Sequence, residues 1–293
     1  YSDSEWALVG AVISGSNTHV LGYSVKISGD GTTVVASAPY YAQSGETQKS
    51  GAAFVYRLVD NSWTQLGDPL LASLSPSGYQ SEGNAIAVNK TGALVAFGAP
   101  HYRDQDGDEV GELKVYSLTN DQWIQRGSTL SGEATLSTRF GSRLSFADDE
   151  SMISVGAYYD SGKFLETGQH TGQHRTYIPT GAFVERNGST TVFRWKNGDW
   201  AIVNKILGEY SWGRMSQSVL SANGQILVAS AENAETGVGV NHGVTYTYQL
   251  GVDSDADRIP DSEDLFPNIA IGSLADLDFD GAPDTCLVSC FAL

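Results

Sequence analysis

The stretch LGYSVKISGDGTTVVASAP, residues 21–39, decides the fold because the chain repeats it. EGNAIAVNKTGALVAFGAP (82–100) and FGSRLSFADDESMISVGA (140–157) match it, and SANGQILVASA (221–231) matches its second half. In every copy a turn residue precedes a small residue by the same interval, which is seven residues between Gly31 and Ala38. Self-similarity at a fixed spacing is the sequence signature of a repeat architecture.

Two further landmarks follow the copies at constant offsets. The phrases GAAFVY, GELKVY, GSTTVF and GVTYTY each end in an aromatic residue. In three copies a tryptophan follows that aromatic by seven residues, within DNSW, NDQW and NGDW, at Trp63, Trp123 and Trp200. Short apolar or alternating runs between Gly, Asn and Asp turns are typical of antiparallel strands joined by hairpins.

These four units predict an all-β fold, a β-propeller with four blades of four strands each. The fourth copy lacks its tryptophan strand, whereas WALVGAVISG (6–15) matches WIQRGSTLSG (123–132) at the Trp and at both Gly residues. We expect this N-terminal strand to complete the last blade and to close the ring, which leaves no open sheet edge. The alternative is that it pairs with a neighbouring molecule and produces a fibre by strand donation.

Composition excludes some functions and suggests a second domain. The chain has 17 basic and 34 acidic residues, a net charge of −17, which argues against nucleic-acid binding. No run of 18 apolar residues could span a membrane. Residues 251–293 carry nine Asp, one Glu and one Arg, so −9 lies there and −8 in the first 250 residues. We therefore predict a propeller at 1–250 and an acidic segment at 251–293. Because residue 1 is Tyr and no apolar leader-like stretch follows, we expect a mature or trimmed chain.

The acidic segment contains two phased copies of a calcium-loop pattern. In DSDADRIPDSED (253–264), carboxylates fall at positions 1, 3, 5, 9 and 12, and a backbone carbonyl is available at position 7, which is the ligand order of an EF-hand-type loop. DLDFDGAPDTCL (276–287) repeats the acids at positions 1, 3, 5 and 9. The predicted Ca²⁺ ligands are Asp253, Asp255, Asp257, Ile259, Asp261, Asp264, Asp276, Asp278, Asp280 and Asp284. A solvated acidic linker is the alternative.

These motifs resemble known families. The phrases LGYS…SAP, EGN…GAP and FGS…GAY resemble the FG-GAP repeats of integrin-α-like propellers, and the acidic copies resemble thrombospondin type 3 repeats, as in bacterial or algal surface proteins. The resemblance implies an extracellular or cell-surface protein that binds calcium. It also implies a disulfide between Cys286 and Cys290, for which two reduced thiols are the alternative.

Two other segments are candidates for binding. HYRDQDGDEVGE (101–112) places Asp104, Asp106, Asp108 and Glu112 at positions 1, 3, 5 and 9, which resembles the calcium loop of FG-GAP domains; a plain solvated loop explains it equally well. The insertion at 161–187 contains His170 and His174, a weak metal pair, and we expect it to pack on the propeller face or to contact a partner.

The sequence thus predicts a calcium-stabilised adhesion or structural module that binds a protein or glycan, or copies of itself in surface fibres. Since we find no nucleophile elbow, no P-loop and no interpretable Ser/His/Asp grouping, we predict that the chain is not an enzyme. The alternative function is a secreted polysaccharide hydrolase or lyase that uses the propeller channel.

Overall fold

The computed structural model describes residues 6–15, 19–43, 45–76, 83–133, 138–148, 150–160, 186–209, 213–234, 242–249 and 251. The chain divides into two units, Tyr1–Thr247 and Tyr248–Leu293. Of the second unit only Tyr248, Gln249 and Gly251 are described. The predicted division into a propeller at 1–250 and an acidic segment at 251–293 therefore stays a prediction.

Within the described ranges, seventeen strands form four antiparallel sheets, one for each sequence repeat. Sheet 1 contains β1 (Val25–Ile27), β2 (Thr33–Ala38), β3 (Ala52–Val59), β4 (Ser62–Gln65) and β5 (Leu70–Leu71). Sheet 2 contains β6 (Ala85–Val88), β7 (Leu94–Ala99), β8 (Glu112–Thr119), β9 (Gln122–Gln125) and β10 (Leu130–Ser131). Sheet 3 contains β11 (Phe140–Phe146), β12 (Met152–Ala157), β13 (Ser189–Lys196) and β14 (Asp199–Leu207). Sheet 4 contains β15 (Met215–Leu220), β16 (Ile226–Ala231) and β17 (Val244–Gln249).

The turns that join these strands follow from the residues that the repeat places there. Between β3 and β4, Asp60 and Asn61 both have a positive φ, 46° and 59°, which is the conformation of the two-residue type I′ hairpin. Asn120 with Asp121, and Asn197 with Gly198, form the same turn in sheets 2 and 3. The DNSW, NDQW and NGDW phrases are therefore hairpins, as predicted from the sequence.

The repeated small residue near the end of the second strand allows neighbouring sheets to approach closely. A Cβ atom added to Gly98 would lie 2.1 Å from the carbonyl oxygen of Gly141 in sheet 3. A Cβ atom added to Gly156 would lie 2.1 Å from the carbonyl oxygen of Ser216 in sheet 4. The sheets thus meet backbone to backbone at the start of each inner strand, and this contact requires glycine on one side.

Apolar side chains fill the spaces between consecutive sheets. Val35 and Val55 of sheet 1 pack with Val95 and Phe97 of sheet 2. The opposite face of sheet 2 and the facing side of sheet 3 form a second cluster, which includes Leu94, Ala96, Leu113, Leu144, Ile153 and Val155. Sheet 2 therefore buries one face against sheet 1 and the other against sheet 3, which is the packing expected of stacked repeats.

The coarse fold prediction is confirmed: the described residues are all-β, without a helix, and form several antiparallel sheets. The predicted closing strand is not observed. Residues 6–15 form no strand, and no described strand pairs with β17 on the side opposite β16. The part of the chain that the structure describes also contains no helix with the length and hydropathy needed to cross a membrane.

Candidate functional site

The main predicted calcium ligands cannot be placed. The two acidic loops lie outside the described residues, as do both cysteines. The residues concerned are Asp253, Asp255, Asp257, Ile259, Asp261, Asp264, Asp276, Asp278, Asp280, Asp284, Cys286 and Cys290. Calcium binding and the disulfide therefore stay predictions.

The acidic loop between β7 and β8 is described, and two of its four candidate carboxylates, those of Asp104 and Glu112, accept hydrogen bonds from the protein itself. Asp104 accepts hydrogen bonds from the backbone N–H groups of Asp106 and Asp108, each at 3.0 Å. Glu112 is buried and accepts a hydrogen bond from the backbone N–H of Ser73. Within the described ranges, no group of three or more His, Cys, Asp or Glu side chains is placed to hold a metal ion. The geometry gives a calcium site at this loop no support.

The described residue cluster with the richest chemistry lies where the second strand of each repeat ends and the next inner strand begins. In sheets 1 and 2 the second strand is followed by Pro-Tyr-Tyr (39–41) and Pro-His-Tyr (100–102), but in sheet 3 it is followed by Tyr158, Tyr159 and Asp160. The rings of Tyr158 and Tyr159 have centroids 4.9 Å apart. Loops of this kind are where a rigid β scaffold usually carries its binding residues.

Three arginines surround this tyrosine pair. The guanidinium carbons of Arg139 and Arg186 lie 4.2 Å and 4.6 Å from the centroid of the Tyr159 ring. The guanidinium carbon of Arg214 lies 5.1 Å from the Tyr158 ring and 5.8 Å from the Tyr159 ring. All are within the range of a cation–π contact. We call these five residues the arginine–tyrosine cluster.

The backbone brings the three arginines together from different loops. Arg139 precedes β11, Arg186 lies shortly before β13, and Arg214 precedes β15. Each has a positive φ, between 52° and 56°. Val20, the corresponding residue of the first repeat, shares this conformation with φ of 56°, so the backbone shape at Arg139 and Arg214 belongs to the repeat. What sheets 3 and 4 add at that position is the guanidinium side chain.

Glu109 holds one edge of the cluster in place. Its carboxylate accepts a hydrogen bond from Arg139 Nε at 2.7 Å and another from Arg103 at 2.5 Å. Burial alone would raise the pKa of Glu109. The hydrogen bond and charge of Arg139, with the charges of Arg103 and His101, outweigh that effect and hold the pKa below its ordinary value. Glu109 is therefore ionised at neutral pH and orients Arg139.

Tyr158 connects the opposite edge. Its hydroxyl donates to Glu232 at 3.0 Å and accepts from Arg214 at 2.7 Å. Burial and the neighbouring Glu232 carboxylate raise the pKa of Tyr158, so the phenol is protonated at neutral pH. Arg214 Nε is buried, and no partner for it lies among the described residues. Buried donors are usually satisfied, so a water or a ligand oxygen fits this position.

An ion pair with a buried carboxylate anchors the loop that carries the two tyrosines. Asp160, which follows Tyr159, is buried and lies 2.9 Å from Lys205 Nζ. It also accepts a hydrogen bond from Ser189 Oγ at 2.6 Å. Burial lowers the pKa of Lys205, but the charge and hydrogen bond of Asp160, together with those of Glu133, more than compensate and the net change is upward. This pair fixes the loop on which Tyr158 and Tyr159 stand.

The sequence did not predict this cluster. Residues 161–185 of the insertion, with His170 and His174, lie outside the described residues, but Arg186 at its end belongs to the cluster. One signal was present: an arginine stands directly before the inner strand in both the third and the fourth repeat. The arginines are otherwise separated by long and unequal stretches, so no motif connects them.

Comparison with known proteins does not place the chain in a family. No family model matches, and no curated protein matches. Solved structures of low similarity do match; three of them are hydrazine synthase from Kuenenia stuttgartiensis, a candidate 6-phosphogluconolactonase from Bacteroides uniformis and Hsv2p from Kluyveromyces lactis. Their identities are 13%, 11% and 9%, each with a TM-score of 0.42. The alignments cover 82%, 76% and 79% of this chain but only 50%, 57% and 50% of those proteins.

These matches lead to one correction. The prediction that the chain is not an enzyme is wrong as a conclusion from the absence of motifs, since proteins named as enzymes are among the structures that match. Catalytic groups of a β fold come from separate loops and need no local motif, which is why sequence reasoning could not exclude catalysis. At these identities and scores, the matches assign no reaction to this chain.

Proposed function

We propose that the chain is an extracellular binding module of the adhesion type, whose arginine–tyrosine cluster binds an acidic polysaccharide. The observation that carries this proposal is the convergence of Arg139, Arg186 and Arg214 on Tyr158 and Tyr159. In the proposal the four sheets are the blades of an FG-GAP-like β-propeller, and the cluster lies on one of its loop faces.

The chemistry of the cluster suits a carboxylated or sulfated sugar. A planar guanidinium forms paired hydrogen bonds with a carboxylate or sulfate group, and it does so better than a lysine ammonium. Tyrosine rings supply flat apolar surface and hydroxyl groups, which suit a sugar ring. The cluster brings three guanidinium groups together, and the carboxylates shown to contact its members are two: Glu109 bonds Arg139 and Glu232 bonds Tyr158. This local balance is opposite in sign to the net charge of −17.

Calcium is the second part of the proposal and rests on the sequence pattern alone. Residues 251–293 are taken as a thrombospondin type 3-like segment in which two carboxylate loops bind Ca²⁺. Hard cations take oxygen ligands in this alternating arrangement, and the bound ion removes the repulsion between the carboxylates. The same resemblance is the basis for proposing an extracellular location, where the calcium concentration is high enough to fill such loops.

The binding proposal is tested with heparin as the acidic polysaccharide and dextran as the neutral one. We expect the chain to bind heparin in a salt-dependent manner and not to bind dextran. Arg186→Gln should weaken heparin binding roughly tenfold, since a hydrogen bond to a charged group contributes about 1.5–3 kcal/mol. Arg57→Gln is the matched control; Arg57 lies in β3 near Asp30, at the other end of the strands. Affinity that is unchanged by Arg186→Gln, or equally weakened by both variants, would overturn the proposal.

The same samples report on the alternative function. If the length of the heparin chains falls during incubation, the cluster is a site of cleavage as well as binding. Tyr158, protonated and bonded to Glu232 and Arg214, is the group to substitute first in that case. Heparin of unchanged length places the role of the cluster in binding.

A further inference from the structure

One hydrogen bond recurs along the described chain, and two of its three occurrences join consecutive sheets. In each case a tryptophan of the outer hairpin donates its indole N–H to a backbone carbonyl of the preceding repeat at 2.9 Å. The acceptor always stands three residues after the tryptophan position of its own repeat. The pairs are Trp63 with Val9, Trp123 with Leu66, and Trp200 with Arg126.

Both halves of this contact are present once more, but they do not meet. Trp6 is the first member of the tryptophan series, and its side chain is fully exposed. Val203, three residues after Trp200, is the corresponding acceptor position at the other end of the series, and it is 40% exposed. No described tryptophan donates to it. Among the described residues, therefore, neither the Trp6 indole nor the Val203 carbonyl takes part in a hydrogen bond of this series.

The described part of sheet 4 lacks the outer strand that the other three sheets have. In sheets 1, 2 and 3 an outer strand, β4, β9 or β14, pairs with the third strand of the sheet. In sheet 4 the third strand is β17, and the described residues provide no fourth strand. The segment that matches the outer strands in sequence is 6–15, which instead lies near sheet 1, where Val9 accepts the hydrogen bond of Trp63.

The first and last sheets also expose apolar residues that the middle sheets bury. Ile86 and Val88 of β6 pack against sheet 1, and Ile86 is only 3% exposed. Val25 and Ile27 are their counterparts in β1, with 61% and 59% exposure.

The other end shows the same contrast. Ala87 and Ala96 of sheet 2 are buried against sheet 3. Their counterparts in sheet 4 are Val219 and Val228, which pair across β15 and β16 and are 61% and 38% exposed.

We propose that these two ends bind each other between copies of the chain, head to tail. Sheet 4 of one copy stacks on sheet 1 of the next, whose residues 6–15 supply the fourth strand along β17. The indole of Trp6 then donates to the carbonyl of Val203 in the first copy. This interface repeats, between two copies, the contact that joins sheet 1 to sheet 2 and sheet 2 to sheet 3 within one chain. The two surfaces that meet are therefore the exposed faces of sheet 4 and sheet 1. Because the two surfaces differ, the contact is heterologous and propagates.

This inference goes beyond the proposed function, and it does not involve the arginine–tyrosine cluster. Assembly and heparin binding can therefore fail separately. A chain that assembles without binding heparin refutes only the polysaccharide proposal, and a chain that binds heparin as a monomer refutes only the assembly.

The experiment uses two complementary variants of the full chain. We call the exposed face of sheet 1, with Val25 and Ile27, the head, and the exposed face of sheet 4, with Val219 and Val228, the tail. Ile27→Glu places a charge on the head and leaves the tail intact. Val219→Glu places a charge on the tail and leaves the head intact. Both sites are exposed, so neither change disturbs a core. Sedimentation velocity over a range of protein concentrations, in calcium-containing buffer, measures the size of the species formed. Ile124→Glu is the matched control, because Ile124 lies 51% exposed on the middle sheet 2.

We expect the unmodified chain and Ile124→Glu to form larger species as concentration rises. Each head or tail variant alone should remain monomeric, with self-association weakened tenfold or more. An equal mixture of the two should form dimers and nothing larger, since only one intact head and one intact tail remain. Monomers at every concentration for the unmodified chain, or a mixture that gives no dimer, would show that the ends close within one chain or stay apart, and would overturn the proposal.

Discussion

The indole N–H of Trp123 donates to the carbonyl oxygen of Leu66 across the gap between sheets 1 and 2, at 2.9 Å. Leu66 directly follows the outer strand β4 of one repeat, and Trp123 lies near the start of the corresponding outer strand, β9, of the next repeat. The same pair of positions recurs from sheet 2 to sheet 3, between Arg126 and Trp200. One hydrogen bond per repeat therefore sets the position of each outer hairpin relative to its neighbour.

Substitution of this tryptophan tests the contribution of the hydrogen bond. Trp123→Phe removes the indole N–H and leaves the Leu66 carbonyl without that donor, so the free energy of unfolding should fall by about 1–2 kcal/mol. Trp6→Phe is the control, because Trp6 is fully exposed in the single chain. Urea unfolding at low protein concentration measures both. Equal losses for the two variants would contradict the assignment of the bond to sheet packing.

The close approach of sheets 2 and 3 at Gly98 gives a second prediction. Gly98→Ala would place a Cβ atom 2.1 Å from the Gly141 carbonyl oxygen, and both groups are held by their sheets. We expect a loss of about 3 kcal/mol, the upper end of the range for overpacked sites. Gly107→Ala meets no atom within 4 Å and should cost about 1 kcal/mol for its left-handed backbone alone. Thermal unfolding of the two variants should rank them in that order.

The structure of each repeat could be predicted because residues within the repeat determine its turns and strands. The turn residues at Asp60 and Asn61, and the run of apolar and small residues around Val35, indicate a hairpin and a buried strand without reference to the rest of the chain. The partner of a strand is a different matter. Residues 6–15 match an outer strand in sequence, yet similarity does not decide whether that strand pairs within the chain or with another molecule.

The arginine–tyrosine cluster could not be predicted for a related reason. Arg139, Arg186 and Arg214 come from three loops, and only the stacking of sheets 3 and 4 brings them to the same tyrosines. No spacing in the sequence encodes that meeting. At the acidic loop around Asp104 the spacing alone left calcium binding and a solvated loop equally open, and in the structure Asp104 accepts hydrogen bonds from two backbone N–H groups of the same loop.

The lowered pKa of Glu109 contributes to the pH dependence of the free energy of unfolding. Its pKa in the folded protein lies below the ordinary value, so its ionised form favours folding. This contribution is complete above the pKa of the unfolded chain, about 4.3, and is lost as the pH falls through the lower folded value. Glu109→Gln should therefore reduce stability by about 1–3 kcal/mol at pH 7, and the difference from the unmodified protein should shrink below pH 4.

Urea unfolding at a series of pH values between 7 and 3 measures that difference. Glu46→Gln, which changes an exposed carboxylate in the loop after β2, is the matched control and should follow the unmodified protein throughout. A Glu109→Gln variant whose deficit is the same at pH 7 and pH 3 would show that the loss comes from packing rather than from charge.

The two acidic regions of the chain are expected to differ in calcium binding. The doubled pattern at 253–264 and 276–287 predicts sites, whereas the contacts of the 101–112 loop give calcium no support. Asp255→Asn and Asp278→Asn should each weaken calcium binding about tenfold or more, because affinity in such loops depends on the number of charged ligands. Asp106→Asn, which makes the same change in the 101–112 loop, should leave calcium binding unaltered. Isothermal titration of chelator-treated protein measures affinity and stoichiometry together. Binding that survives both C-terminal substitutions but is lost in Asp106→Asn would reverse the assignment and place the calcium on the loop between β7 and β8.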